Sequence, residues 1–389
     1  MSLQHIPLEK ITEADLQKLV QNGVRESRII EYKQNIQLKE PKQKQELLCD
    51  IAAFANTEGG EIIYGMESKD GVPTKLIGLN NYNHDKTVLA IEDLLRNSTD
   101  PILRTVRFCV VKLANTLHAL VVRIGYSFAA PHLVSHLDAT TRFCGRNSAG
   151  KYTMGVDEIR SAFVASETLD NRLKAFRFSR IGKLKSGITP VPMMSSHYIV
   201  FHILPVVGSR ADMRIDSTLL RQKIGFARPL FSEGFGYSDY YNFDGPLLTS
   251  VSSNGISQTS LQVFKNGFFE AIDSLCLSAG RNGVGIFPAL EIKKEFCKIY
   301  STYISLLNDQ LNISLPYVVG ISFLNVKGYA IPKDVANPAS VFIHPHPIEH
   351  EDLIFDEVLI ENTNTPAGEV LRSVFDQMWN ACGYGAAPT

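Results

Sequence analysis

Arg172, Lys174, Arg177, Arg180, Lys183 and Lys185 fall within fourteen residues with no acid among them. Cations in such a run can contact the phosphates of RNA or DNA, which fixes register without reading bases. A solvated helix face or a linker accounts for the run equally well. Arg142 and Arg146, near a glycine turn, offer a second place to hold a phosphate, with sheet-edge charge as the plainer account. Glu31 and Lys33 are two residues apart, so they share one face of a strand and can pair, or the lysine can touch a phosphate. His344, His346 and His350, in HPHPIEH, would share a strand face and suit a metal, but Pro345 and Pro347 argue for a loop.

Several chemistries lack their motifs. There is no GxxxxGK[ST] and no GxGxxG, so ATP is not an expected ligand. No GxSxG is present. The six cysteines form no CxxC pair, so zinc is not expected, and reduced, packed thiols are.

The elements that must position these residues can be read from period and punctuation. Residues 1–24 read as a helical lead-in, with Thr12 as cap and Leu16, Leu19 and Val20 on one face. RIIEYKQNI reads as a strand. Pro41 opens a helix whose apolar side is Leu47, Leu48, Ile51, Ala52, Phe54 and Ala55, and Gly59-Gly60 ends it. The strand EIIYGME follows, then a helix over about 85–97. RTVRFCVVKL and LHALVVRIGYS read as a hairpin, and TTRFCGRNSAGKYTMG as a strand and Gly turn leading into the helix VDEIRSAFVAS.

This order is α+β. The basic run, with Gly187, Pro190 and Pro192 behind it, reads as a helix end and linker over 171–194, separating 25–170 from a second α+β domain over 195–389. In that second half HYIVFHILPVV and SLQVFKNGFFEAI read as strands, and Leu290 to Leu307 carries helical spacing. With 389 residues, 44% apolar and 20% charged, the chain can bury large cores, and its net charge of −1 demands no polyanionic partner. No apolar leader or spanning run is evident, so a cytoplasmic chain with no membrane partner is expected.

Four stretches, Glu26 to Lys33 (ESRIIEYK), Ala53 to Gly60 (AFANTEGG), Ile62 to Glu67 (IIYGME) and Arg142 to Ser148 (RFCGRNS), occur in an order that resembles the Schlafen AlbA_2 domain family. The resemblance covers roughly the first 165 residues. It implies a mixed sheet with flanking helices that handles nucleic acid, and in some members a metal-dependent endoribonuclease cutting tRNA-like RNA. It implies carboxylate ligands for Mg²⁺ or Mn²⁺ at Glu26 and Glu31. The third acid position falls on Ser68 or its neighbour, where Glu67 and Asp70 are the carboxylates available. Such a metal stabilises charge developing on phosphate oxygens. Lys33, Arg142, Arg146, Arg177, Arg180, Lys183 and Lys185 would then position RNA or DNA. The resemblance also implies a phage-defence setting. With one copy of the motif set in the chain, a homodimer is expected. The alternatives are a non-catalytic DNA/RNA-binding regulator and a sensor that has lost both roles.

Overall fold

The computed structural model describes residues 3, 6–80, 83–127, 129–135, 141–210, 213–233, 236–251, 255–277, 285–313, 315–331 and 346–388. The chain divides into two compact units, Met1–Asn171 with Ser314–Pro316, and Arg172–Ile313 with Tyr317–Thr389.

The first unit contains α1 (Glu13–Gln21), β1 (Ile30–Lys33), α2 (Pro41–Ala55), β2 (Gly60–Tyr64), β3 (Met66–Lys69), β4 (Val72–Leu76), α3 (His84–Ser98), β5 (Thr99–Asp100), β6 (Val106–Lys112), β7 (His118–Ile124), β8 (Leu133–Val134), β9 (Arg142–Asn147) and β10 (Gly150–Thr153). One sheet runs β1-β2-β7-β6, with β1 and β2 parallel and the other pairs antiparallel; a second runs β10-β9-β8-β5. The period of two explains why β2 is buried throughout. Ile62 and Tyr64 join Leu120, Val122 and Ile124 against α2, while Ile63 joins Ala119 and Val121 against Leu16 and Leu19 of α1.

The start and stop signals act as their chemistry requires. Thr12 and Asp15 form a capping box on α1, and Pro41 opens α2 behind a box between Glu40 and Gln43. Gly59 and Gly60 have φ of 72° and 153°, and a Cβ there would strike Ile124 O or the Phe54 ring, so the chain can fold back beneath α2 only with glycine. The strand expected over EIIYGME breaks at Gly65, φ 89°, into β2 and the hairpin β3–β4.

α4 (Val156–Lys185) corrects the linker expectation: the helix continues through the whole basic run, and Gly187 follows it at φ 75°. Leu173, Arg177, Arg180, Ile181 and Leu184 all turn inward at helical spacing. The second unit then adds β11 (Tyr198–Pro205), α5 (Ser217–Ile224), β12 (Ser238–Tyr241), β13 (Pro246–Val251), β14 (Ser257–Val263), β15 (Phe269–Asp273), β16 (Gly285–Ile286), α6 (Ala289–Ser305), β17 (Tyr317–Leu324), β18 (Tyr329–Ala330), β19 (Leu353–Ile354), β20 (Val358–Ile360), α7 (Ala367–Val370) and α8 (Arg372–Asn380). Its main sheet runs β12-β13-β14-β15-β11-β17-β19, with β20 also on β17. SLQVFKNGFFEAI, read as one strand, is the hairpin β14–β15, turned at Gly267 with φ 85°. α6 lays Phe296 and Tyr303 against Phe201 and Phe269 of this sheet.

Two other expectations change. Cys49 of α2 and Cys144 of β9 are joined as a disulfide across 95 residues, where packed thiols were expected; Cys109, Cys276, Cys297 and Cys382 are free. Their distance in sequence and lack of a motif hid the pairing. His344 lies outside the described residues, so the histidine cluster is not described as a group.

Arg177 is 1% exposed. It donates to Glu357 (2.8 Å), to the carbonyls of Ile321 (2.7 Å) and Phe355 (2.8 Å), and to Ser322 Oγ (3.1 Å). Gly320 leaves the room its guanidinium needs, since a Cβ there would lie 2.6 Å from Arg177 Nε. Arg180 grips Glu270 with two bonds of 2.9 and 2.6 Å, and His202 Nε2 lies 3.0 Å from the same carboxylate. Removing one partner of a buried pair strands the other. Arg177→Ala is therefore expected to destabilise the protein by about 3–5 kcal/mol, whereas the exposed Lys183→Ala shifts a urea unfolding curve little. Equal, small shifts would contradict a helix packed through Arg177.

Candidate functional site

β1 directs Ile30 and Tyr32 into the α1 side of the core, which sends Glu31 and Lys33 to the opposite face, toward α2. There they meet Asp50, a buried acid on the apolar side of α2. Lys33 Nζ lies 2.9 Å from Glu31 Oε1 and 3.4 Å from Asp50 Oδ2. Lys151 Nζ, from β10, lies 2.7 Å from Asp50 Oδ1. Arg146 Nη2, from β9, lies 2.5 Å from Glu31 Oε2. The result is a chain of alternating charge, Arg146–Glu31–Lys33–Asp50–Lys151, linking β9, β1, α2 and β10. Arg146 and Lys151 face each other directly across the β9–β10 hairpin. Like charges in that register repel, and the two intervening carboxylates offset the repulsion.

Arg146 is almost wholly enclosed. It also donates to the carbonyls of Ser27 (2.9 Å) and Ile30 (3.3 Å), and its guanidinium lies 4.4 Å from the Phe54 ring centre. Burial works to raise the Glu31 pKa, but Lys33 and Arg146 together hold it below its ordinary value. Burial works to lower Lys33, but Asp50 and Glu31 raise it, so the ammonium stays charged. Burial, with Asp50 and Glu31 adding to it, pushes the Tyr64 hydroxyl far up, leaving it a donor.

A cavity of about 430 Å³ opens over this chain, its lining including Lys33, Lys42, Glu46, Asp50, Tyr64 and the carboxamides of Gln34 and Gln43. Such a lining can donate to phosphate oxygens and both donate to and accept from base edges.

The other site residues expected from sequence are dispersed. Glu26 Oε1 accepts from Tyr32 N (3.2 Å) and Ser68 Oγ (3.4 Å), committing it to the β3–β4 hairpin. Glu67 is exposed beside a bulge, opposite Lys75, and Asp70 is exposed in the turn at φ 52°. Glu26 thus joins the hairpin that carries Ser68, Glu67 and Asp70, while Glu31 already satisfies two cations. Among the described residues no three His, Cys, Asp or Glu side chains gather to hold a metal, so as arranged this set does not fit Mg²⁺ or Mn²⁺. Arg142 is exposed at the start of β9. Arg146, Arg177 and Arg180 are enclosed in ion pairs, which takes them out of reach of a phosphate; Lys183 and Lys185 stay exposed, Lys185 bound to Asp352. Asn56, read as part of a helix end, is a buried tie: its amide donates to the carbonyls of His132 (3.2 Å) and Cys144 (2.9 Å) and accepts from His132 N (2.7 Å).

Asp50 and Lys151 were not singled out from sequence. A signal existed for each: Asp50 is an acid within the apolar stripe Leu47–Ile51–Phe54, and Lys151 faces Arg146 once the Gly turn is closed.

Glu31→Gln should cost on the order of 2–4 kcal/mol at pH 7 by leaving the buried Arg146 unmatched. Because the folded carboxyl titrates below its ordinary 4.5, that advantage is complete above 4.5 and fades as pH falls through the lowered value. Urea unfolding of both proteins at pH 7 and pH 3 tests this; a difference independent of pH would contradict the ion chain.

A family model described as Schlafen, AlbA_2 matches residues 26–155, a third of the chain. No curated protein matches. Solved structures that match this chain include these two. One is the DIP2311 protein from Corynebacterium diphtheriae, at 12% identity over 55% of this chain and 33% of that one, TM-score 0.26. The other is the N-terminal domain of a putative ATP-dependent DNA helicase RecG-related protein from Nitrosomonas europaea, at 21% identity over 36% of this chain and 86% of that one, TM-score 0.26. This chain thus spans a third of the length of the Corynebacterium protein. Among the described residues no helix is long and apolar enough to cross a membrane.

Proposed function

We propose that residues 26–155, which match the Schlafen AlbA_2 family model, bind nucleic acid by its backbone phosphates, beside the cavity over Lys33. The observation that carries the reading is a polar cavity set on a network in which cations outnumber acids. Arg146, Lys33, Lys151 and the exposed Lys42 stand against Glu31, Asp50 and Glu46. Lys33 is held at the cavity by Glu31 and Asp50 and reaches solvent, so a phosphate there would share it with those carboxylates. Lys42 and Arg142 supply exposed charge near the same elements.

The reading is of a binding module, since no carboxylate in it is free of a cation or a hydrogen-bond partner in the way metal-assisted cleavage needs. RNA of tRNA-like form in preference to DNA, a host-defence setting and a homodimer belong to the same proposal, and rest on the family and on the single motif set.

Fluorescence anisotropy with labelled tRNA and duplex DNA, at several salt concentrations, provides the test. Lys42→Glu is expected to weaken binding and to reduce the slope of log K against log[salt] by about one. Binding by the unaltered protein should persist in EDTA with the RNA intact. Discrete fragments formed with Mn²⁺ or Mg²⁺ and abolished by EDTA would replace this reading with a metal-dependent endoribonuclease. Neither binding nor cleavage at low salt would remove both.

A further inference from the structure

The second unit carries a groove of about 540 Å³. It is walled by the start of this unit's part of α4, the 3-10 turn Val206–Ser209, and the turns joining β12 to β13 and β14 to β15. Its floor is aromatic. Phe176 meets Phe268 at 4.8 Å and Phe264 at 5.1 Å between ring centres, all edge to face. Its rim is cationic, with Arg172, Arg210, Arg214 and Lys265 against one carboxylate, Asp244, among the described lining residues. Arg172 donates to Ser209 O (3.2 Å), which closes one wall.

Phe243 stands over this rim, 92% exposed. Burial would be the ordinary fate of such a ring, and a floppy loop the ordinary reason for its exposure. Here the turn is fixed. Asn242 Oδ1 accepts from the amides of Asp244 (3.0 Å) and Gly245 (3.1 Å), and its Nδ2 donates to Gln262 (2.6 Å). Gly245 has φ 146°, and a Cβ there would collide with Val263 O. Lys265 Nζ donates to Phe243 O (3.0 Å) and lies 5.6 Å from its ring centre. The ring is thus held in solvent by its neighbours, beside a concentration of positive charge.

A rigid exposed aromatic offers a face on which any base can stack, and cations next to it take the attached phosphate. We propose that this groove binds a nucleotide, its base stacked on Phe243 and its phosphate held by Arg210, Arg214 and Lys265. Such a nucleotide is either free or part of a single strand, and the same chemistry serves both.

The test uses the full chain in a Lys42→Glu background, so that binding by the first unit does not mask the groove. Probes are a labelled oligo(U) 12-mer read by anisotropy and AMP read by calorimetry and by competition. Phe243→Ala is expected to weaken binding about tenfold or more, Phe243→Trp to retain it, and Arg214→Glu to weaken it with a smaller salt dependence. Both positions are exposed, so thermal unfolding should be unchanged. AMP binding that displaces the oligonucleotide identifies a free-nucleotide site, and binding by the oligonucleotide alone identifies a strand; both support the proposal. Loss with Arg214→Glu but not with Phe243→Ala would overturn it in favour of a plain anion site. No binding of either probe would overturn it in favour of a protein partner. Binding unchanged by both Phe243→Ala and Arg214→Glu would place it outside the groove and overturn the proposal, whatever Lys42→Glu does to the first unit.

Discussion

The first unit depends on one electrostatic constraint, the requirement that Arg146 and Lys151, opposed across a two-stranded hairpin, each find a carboxylate. Their partners come from elsewhere in the chain, Glu31 from the short parallel strand and Asp50 from the long helix, and Lys33 joins those two in the middle. A buried charge without a partner costs several kcal/mol. The enclosed Arg146 therefore depends on Glu31, while Lys151, which reaches solvent, gains less from Asp50. The disulfide between Cys49 and Cys144 and the ties of Asn56 bind the same helix to the same strand. Charge, covalent linkage and backbone hydrogen bonds thus converge on one joint, and the cavity lies at its edge.

This constraint also decides what Glu31 can do. Glu31 has a lysine on one oxygen and an arginine on the other. Its charge serves to hold Lys33 upright beneath the cavity. In this arrangement Glu31 orients a cation, and the proposed recognition of phosphate rests on that cation.

Much of this was legible in the residues. Pro41, the Leu47–Ala55 stripe and Gly59-Gly60 define the first helix and its reversal, since each has a local cause that needs no knowledge of the rest. Glu31 and Lys33 could be assigned to one face by parity alone. What failed to show was whatever depended on distant partners. Asp50 reads as an oddity in a helix until β10 supplies Lys151. Arg177 and Arg180 read as solvent charge because the acids that bury them, Glu357 and Glu270, lie 180 and 90 residues away. The linker expectation failed for the same reason. A run of cations looks incapable of packing, yet at helical spacing with Leu173, Ile181 and Leu184 it forms one side of a core.

The long helix α4 has a consequence for where the second unit begins as an inheritable piece of sequence. The Pro-rich stretch after Gly187 is where a reader of composition would cut. A polypeptide starting there would retain the sheet and lose the guanidinium groups that neutralise it, leaving Glu270 walled in without its arginine. The natural frontier between the units therefore lies mid-helix, at a position that leaves no trace in hydropathy. Recombination, limited digestion or gene fusion that respects loops would separate this sheet from its own counter-ions.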